Sequence, residues 1–410
     1  MGDDMIPVLW LCGPPGVGKT TVAWQIFSEL TRAGVAAAYV DIDQLGICYP
    51  EPTLDPGRHR MALRNLSAVV ANFRAAGAQC VIVSGVSDPV RGVDRGLLVH
   101  TALTVCRLRA DRPDLERRFV GRGGPPRDVA EILREANDLD RSDFADHCID
   151  TTGHAVSDVT RLVRERTGWP ALSDPSESGR SADPNPQRAI DVDGPMLWLC
   201  GATGVGKSTV GWEVYQAVVG QGRTAAYVDL DQLGFYRPRP DGFGGHDGDY
   251  GGDHAVKADN LAALWQTYRR AGADCLVVVG RAPNAAAVRT YLDALPAASV
   301  TVCRLHADRE RLKEQIMQRR YGGSWAMPGD PLKGLPEERL REIADAAADD
   351  AETLATASIG DVRVDVDGRT VAELAEAVLA RTGGWPGAAG PTTGSPGRRR
   401  PLVVGPTRFH

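Results

Sequence analysis

The chain has 410 residues, 43% hydrophobic and 24% charged, an ordinary globular mixture with material for two or three cores. Its formal net charge of −6 provides no basic excess to attract a phosphate backbone, which argues against a nucleic-acid partner or a membrane-surface role. Lysine is scarce: Lys19, Lys207, Lys257, Lys313 and Lys333 are the only five among 47 basic residues.

The N-terminus carries Asp3 and Asp4 and an apolar run too short for a signal peptide or a membrane span, so a cytoplasmic protein is expected. Ile6–Cys12 is a continuous apolar run, the pattern of a parallel strand buried on both faces. A glycine-rich loop follows, and Lys19–Ala33 is helix-compatible. Ala36–Val40 reads as a second strand and His59–Ala76 as a helix. Cys80–Ser84 and Thr101–Leu108 read as strands, followed by an arginine-rich helical stretch to Arg122. Asp128–Phe144 reads as a helix, His147–Asp150 as a short strand and Val156–Thr167 as a closing helix. Strands alternating with helices predict an α/β fold, a parallel sheet with helices on both faces.

The second half repeats the first. GPPGVGKT at 13–20 recurs as GATGVGKS at 201–208, and Tyr39–Gly46 recurs at the same offset of 188 as Tyr227–Gly234. His59 and Asn65 match His254 and Asn260 at an offset of 195, so the glycine-rich segment Asp241–Gly252 has gained residues. Thr104–Leu108 matches Thr301–Leu305 at 197, and both halves close on Gly-Trp-Pro. The element order is expected to recur from Met196 to Arg381. Residues 1–170 and 195–386 are therefore expected to be two P-loop domains. Residues 171–194, rich in Pro, Ser, Asp and Gly, read as a linker, and 387–410, with Arg398-Arg399-Arg400, as a disordered tail. Cys12, Cys80 and Cys106 recur as Cys200, Cys275 and Cys303 inside apolar runs, and no Cys-x-x-Cys or Cys/His metal spacing occurs, so free buried thiols are expected.

The chemistry begins at the loops. A strand ending in Gly-x-x-x-x-Gly-Lys-Ser/Thr and opening a helix is a specific phosphate-binding signal, here present twice. Gly13, Gly16 and Gly18 permit a tight path that turns the amides of the loop, Val17 and Thr21 included, toward phosphate. Lys19 is expected at the β- and γ-phosphates, and the Thr20 hydroxyl on Mg²⁺. Gly201, Gly204, Val205, Gly206, Lys207, Ser208 and Thr209 take the same parts in the second half. Arginine would substitute poorly for either lysine, since the loop needs a compact ammonium on a flexible stem.

Directly after the second strand come Asp41 and Asp43, repeated as Asp229 and Asp231. Strand ends of an open parallel sheet face the ligand crevice. Two residues apart, both carboxylates share one face of a strand only if it continues, so a turn beginning there would send one toward Mg²⁺ and the other toward an acceptor hydroxyl whose proton it could take. The other reading is an aspartate that caps the turn. Arginines after the fourth strand, Arg118 and Arg122 before Gly123-Gly124, and Arg319 and Arg320 before Gly322-Gly323, are candidates for a lid over the phosphates or for a solvated helix face. His59 and His254 could meet an acceptor or cap a helix locally.

The combination resembles the P-loop small-molecule kinases: adenylylsulfate kinase, shikimate kinase, gluconate kinase and chloramphenicol phosphotransferase. The loop followed by Asp-x-Asp carries the resemblance. So does a third strand ending in Val-Ser84-Gly and Val-Gly280-Arg, with no aspartate there. The third feature is Arg58, Arg64 and Asn65 leading into a helix, similar to the acceptor-binding helix of adenylylsulfate kinase. This implies ATP and Mg²⁺ as cofactors, Asp41 and Asp229 with Thr20 and Ser208 at the metal, and a small acceptor near Asp43, Arg58, Arg64, Asn65, Asp231 and Asn260. The chain departs from the pattern in Asp-Ile-Asp-Gln where adenylylsulfate kinase has Asp-Gly-Asp-Asn, and in Asp253 and Asp259 where the first half has Arg58 and Arg64. The activity implied is phosphoryl transfer from ATP to a small hydroxylated acceptor. The alternative is a regulatory ATPase with no small acceptor, which would want an aspartate at the end of the third strand. No Asn-Lys-x-Asp motif points to GTP.

Overall fold

A computed structural model describes residues 5–170, 191–236, 253–322 and 332–387. The glycine-rich segment Asp241–Gly252, Gly323, most of the expected linker and the tail with its arginine run lie outside the described residues. In the first half the elements are β1 (Ile6–Cys12), α1 (Lys19–Arg32), β2 (Ala37–Asp41), β3 (Cys48–Tyr49), α2 (His59–Ala75), β4 (Cys80–Ser84), β5 (Thr101–Arg109), α3 (Arg112–Gly121), α4 (Val129–Arg141), β6 (His147–Asp150) and α5 (Val156–Thr167). In the second they are β7 (Gly194–Cys200), α6 (Lys207–Gly220), β8 (Ala225–Asp229), β9 (Phe235–Tyr236), α7 (His254–Arg270), β10 (Cys275–Val279), α8 (Ala285–Ala294), β11 (Ala298–His306), α9 (Arg309–Gln318), α10 (Glu337–Thr356), β12 (Val362–Asp365) and α11 (Val371–Arg381).

These form two six-stranded sheets, ordered β6-β5-β1-β4-β2-β9 and β12-β11-β7-β10-β8-β3. The central strand β1 pairs in parallel with β4 and β5, and β7 does the same with β10 and β11. A strand with neighbours on both edges and helices on both faces has nowhere to place a polar side chain, which is why Ile6–Cys12 is apolar throughout. Each glycine loop leaves the carboxyl end of the central strand, where the strand order reverses and a crevice opens.

The outermost strand of each sheet comes from the other half. β9 pairs antiparallel with β2 (Ala38 with Tyr236, Tyr39 with Phe235), and β3 pairs antiparallel with β8 (Cys48 with Ala226, Tyr49 with Ala225). β2 and β8 would otherwise be exposed edges with free backbone groups. The exchange also buries aromatic surface. Phe235, 1% exposed, sits with its ring centroid 5.1 Å from that of Trp24 and 5.6 Å from that of Tyr39. Tyr236 packs on Phe73, and its hydroxyl donates to the Ala76 carbonyl at 2.7 Å. Helices α2 and α7 pack together, with Asn72 Nδ2 donating to Asn260 Oδ1 at 2.9 Å.

One buried cluster therefore draws Leu66, Val69 and Phe73 from the first half and Leu264, Trp265 and Tyr268 from the second. The apolar faces of α2 and α7 thus share one cluster, while a second cluster in each half is built almost wholly from that half's own residues. Two further differences concern the repeat. The second half inserts α8 where the first has only a short 3₁₀ turn at Arg95–Leu97, and its β7 begins at Gly194, inside the expected linker. Among the described residues no helix is long and apolar enough to cross a membrane. All eight cysteines are free, and all but Cys148 are buried. Burial pushes the Cys106 thiol up to about 12, as expected of a thiol packed like a small hydrophobe.

Candidate functional site

Helices α1 and α6 both begin on a glycine. Their N-cap residues are Gly18 and Gly206, both left-handed, with no side-chain cap and no acidic residue in the first turn. By contrast α3, α8, α9 and α11 are capped by Asp111, Asn284, Asp308 and Thr370. The first turns of α1 and α6 thus leave N–H groups and a partial positive charge directed at the loop. Such an end suits an anion.

The glycines are required sterically. Gly13 and Gly201 both have φ of +142°, and a Cβ there would meet the carbonyl oxygens of Leu108 and Leu305 at 2.3 and 2.5 Å. Val17 and Val205 are buried and pin the loops to the core, while Thr21 is exposed and Thr209 half-buried. Lys19 Nζ donates to the carbonyls of Gly13 (2.7 Å) and Pro14 (3.2 Å), and Lys207 Nζ to those of Gly201 (3.1 Å) and Ala202 (3.0 Å). Each ammonium therefore spans its own loop. Burial lowers the pKa of both, opposed first by Asp43 for Lys19 and by Asp231 for Lys207.

The aspartate pair sits where the chain turns. β2 ends at Asp41 and a 3₁₀ turn begins at Ile42; β8 ends at Asp229 and a turn begins at Leu230. Asp41 Oδ1 accepts from the Asp43 amide at 3.1 Å and Asp229 Oδ1 from the Asp231 amide at 3.0 Å, so the first aspartate of each pair does cap its turn. Asp229 keeps its other oxygen for the loop: Ser208 Oγ donates to Oδ2 at 3.0 Å. Burial, and then the second carboxylate, push Asp41 up to about 8 and Asp229 up to about 7. A hydroxyl and a carboxylate converging in a buried spot that penalises negative charge is a hard-oxygen donor set fitted to Mg²⁺, which takes one or two carboxylates and completes its shell with phosphate and water. Thr20 and Asp41 occupy the corresponding positions of the first half, where Thr20 faces the Tyr39 phenol.

The acceptor-helix residues are placed differently from expectation. Asn65 is fully buried, and its amide donates to the Leu45 carbonyl at 2.6 Å; Asn260 does the same for Leu233 at 2.8 Å. Through these bonds they hold the turns after the aspartates, and Asn260 Oδ1 accepts from Asn72. Arg58 stacks 4.1 Å over the Tyr49 ring, donates to the Gly46 carbonyl at 2.8 Å and pairs with Glu51 at 3.4 Å. Its guanidinium braces the exchanged strand. Arg64 is exposed. His254 shares a hydrogen bond with the Tyr291 hydroxyl at 3.0 Å.

The arginine-rich segments divide. Arg118 donates to the Thr151 carbonyl (2.8 Å) and pairs with Asp114 (2.6 Å), which ties α3 to the segment after β6. Arg122 lies 5.5 Å over Phe119, and Asp43 is the charge opposing the lowering that burial imposes on it, so this arginine faces the site. Arg319 is half-buried and Arg320 exposed in a short turn after α9. Sequence reasoning missed Glu135 on α4, which burial pushes up and which faces Lys19 and Asp43. It also missed Arg281, paired with Asp350 at 3.2 Å and felt by Lys207. The available signal for Glu135 was a carboxylate on the apolar stripe of Ile132, Ala136 and Leu139.

No family model matches the chain, and no curated protein does. Among the solved structures similar to it are P-loop small-molecule kinases. A gluconokinase from Sinorhizobium meliloti 1021 is 19% identical, with a TM-score of 0.30 over 48% of this chain and 94% of that one. The APS kinase of Mycobacterium tuberculosis, in complex with AMPPNP and APS, is 21% identical, with a TM-score of 0.27 over 46% of this chain and 98% of that one. A tunicamycin resistance protein from Deinococcus radiodurans is 22% identical, with a TM-score of 0.30 over 42% of this chain and 99% of that one.

Proposed function

We propose that the chain is an ATP-dependent phosphotransferase that moves the γ-phosphoryl group to a hydroxyl of a small acceptor. The observation that carries this reading is the uncapped, glycine-led helix start with a loop-spanning lysine, set beside a turn that bears two carboxylates.

In this reading the amides of the loop and Lys19 orient the phosphates, and Lys207 does so in the second half. Thr20 with Asp41, and Ser208 with Asp229, would hold Mg²⁺, which when bound neutralises charge on the β- and γ-phosphates. Asp43 is exposed, and its Oδ1 is fixed by the Val86 amide at 3.0 Å, so it stands where an acceptor hydroxyl enters. The acceptor oxygen bonds to the γ-phosphorus, the bond to the ADP oxygen breaks, and the hydroxyl proton passes to Asp43. Arg122 supplies positive charge on the same side. Catalysis is positioning and charge neutralisation.

The test is ADP formation by the full chain with Mg²⁺, with and without a panel of hydroxylated metabolites. Stimulation by an acceptor, lost in the Asp43→Asn chain, supports transfer. Steady hydrolysis indifferent to every acceptor supports a regulatory ATPase.

A further inference from the structure

The second half carries a buried cation that the first lacks. Lys257, on α7, is 2% exposed, and its Nζ lies 3.9 Å from Asp231 Oδ1. Its stem covers Gly234, where a Cβ would come within 2.3 Å of Lys257 Cε and 2.7 Å of Cγ. The residues at these positions in the first half are Ala62 and Gly46, and a Cβ on Gly46 would come no closer than 3.4 Å to the Ala62 methyl. The turns share a glycine, but only one has a lysine laid across it.

The second carboxylates take different partners as a result. Asp43 is exposed and leans on the amide of Val86, in the loop after β4. Asp231 is half-buried, lies 3.9 Å from the Lys257 ammonium, and is the first charge to oppose the lowering that burial imposes on Lys207. The position of Val86 is taken by Arg281, itself paired with Asp350. Helix α8, which has no counterpart in the first half, packs on α7 through Tyr291 and His254.

We propose that Lys257 closes the acceptor side of the second half, so that this half holds nucleotide without passing its phosphoryl group on. The proposal rests on the phosphotransferase reading, in which the second aspartate meets the acceptor. A hydroxyl approaching Asp231 must displace an ammonium that is buried beside it, and separating a buried ion pair strands charge away from water. Asp43 has no counterpart of Lys257, because Ala62 stands at that position.

The test is carboxylate footprinting of the full chain with a carbodiimide and glycine ethyl ester, read by peptide mass spectrometry. Asp43 should be modified about tenfold faster than Asp231, because the latter's partner is a buried ammonium. Lys257→Met keeps a stem over Gly234 while removing the charge, and should bring Asp231 to within about threefold of Asp43. Equal rates in the unsubstituted chain, or an Asp231 rate unmoved by Lys257→Met, would overturn the proposal. In parallel, the Lys19→Ala chain should still bind one equivalent of Mg²⁺–AMPPNP. Loss of that binding while Lys207→Ala retains it overturns the nucleotide-holding role. Loss of binding by the unsubstituted chain removes the phosphotransferase reading instead.

Discussion

The hydroxyl of Tyr268, on α7 of the second half, donates to the carbonyl of Leu45, in the turn that follows Asp43 of the first half, at 2.9 Å. The same carbonyl accepts from Asn65 of its own half. The turn beside one phosphate loop is thus held partly by the other half of the chain, and the exchanged strands extend that dependence to the sheets.

Removing the hydroxyl in Tyr268→Phe should cost about 0.5–1.5 kcal/mol, since Asn65 still satisfies Leu45. Phe235→Ala should cost about 3–5 kcal/mol, because it leaves a cavity among Trp24, Tyr39 and β2. Chemical denaturation measures both. Hydrogen exchange should speed at Ala38 and Tyr39 in Phe235→Ala, although the substitution is nearly 200 residues away in sequence. Unchanged exchange there would contradict the strand exchange.

A small-for-large trade distinguishes the two halves behind the loops. Gly211 on α6 has no room for a methyl: a Cβ would lie 2.2 Å from Val279 Cγ1. The corresponding pair in the first half is Ala23 and Ser84, and Ser84 Oγ hydrogen-bonds the Tyr39 hydroxyl at 2.7 Å. Gly211→Ala should therefore destabilise by about 1–3 kcal/mol through overpacking, and Val279→Ser should recover most of that in the double variant. Additive losses in the cycle would show that the contact is not the cause.

The first carboxylates set a pH dependence. Asp41 and Asp229 are pushed up from an ordinary value of 3.8 to about 8 and about 7. A carboxyl whose pKa is raised in the fold contributes stability that is complete below its unfolded value and is lost as pH rises through the folded one. The nucleotide-free chain should lose stability between about pH 4 and pH 8, and Asp41→Asn should flatten that slope. Mg²⁺ takes the ionised carboxylate, so binding of Mg²⁺–AMPPNP should release protons near pH 7, and omitting the metal should abolish the release. Calorimetry in two buffers of different ionisation enthalpy measures it.

Much of the fold was legible because it is written locally. Ile6–Cys12, Cys80–Ser84, His147–Asp150 and Val156–Thr167 coincide with their elements, since apolar runs and turn residues mark their ends without reference to the rest of the chain. The exchanged strands were not legible. Cys48–Tyr49 and Phe235–Tyr236 are two residues each, too short for a period, and their partners lie in the other half. Helix α8 was missed by assuming strict repetition, although Asn284 followed by three alanines is a capped helix start. In the site, the loops and aspartates were readable from spacing. The bonds of the Asn65 and Asn260 amides to Leu45 and Leu233 were not readable, because sequence cannot tell a buried amide that serves a backbone carbonyl from one that serves a ligand. Lys257 was visible as a rare lysine, but its direction depends on the packing of α7.

The central claim is that one chain carries two separate phosphate cradles, each centred on its own lysine. Its most direct test is calorimetric titration of the full chain with Mg²⁺–AMPPNP in unsubstituted, Lys19→Ala, Lys207→Ala and doubly substituted forms. The unsubstituted chain should bind at both cradles, each single variant should keep only the cradle whose lysine remains, and the double variant should bind at neither. Undiminished binding in both single variants would contradict it.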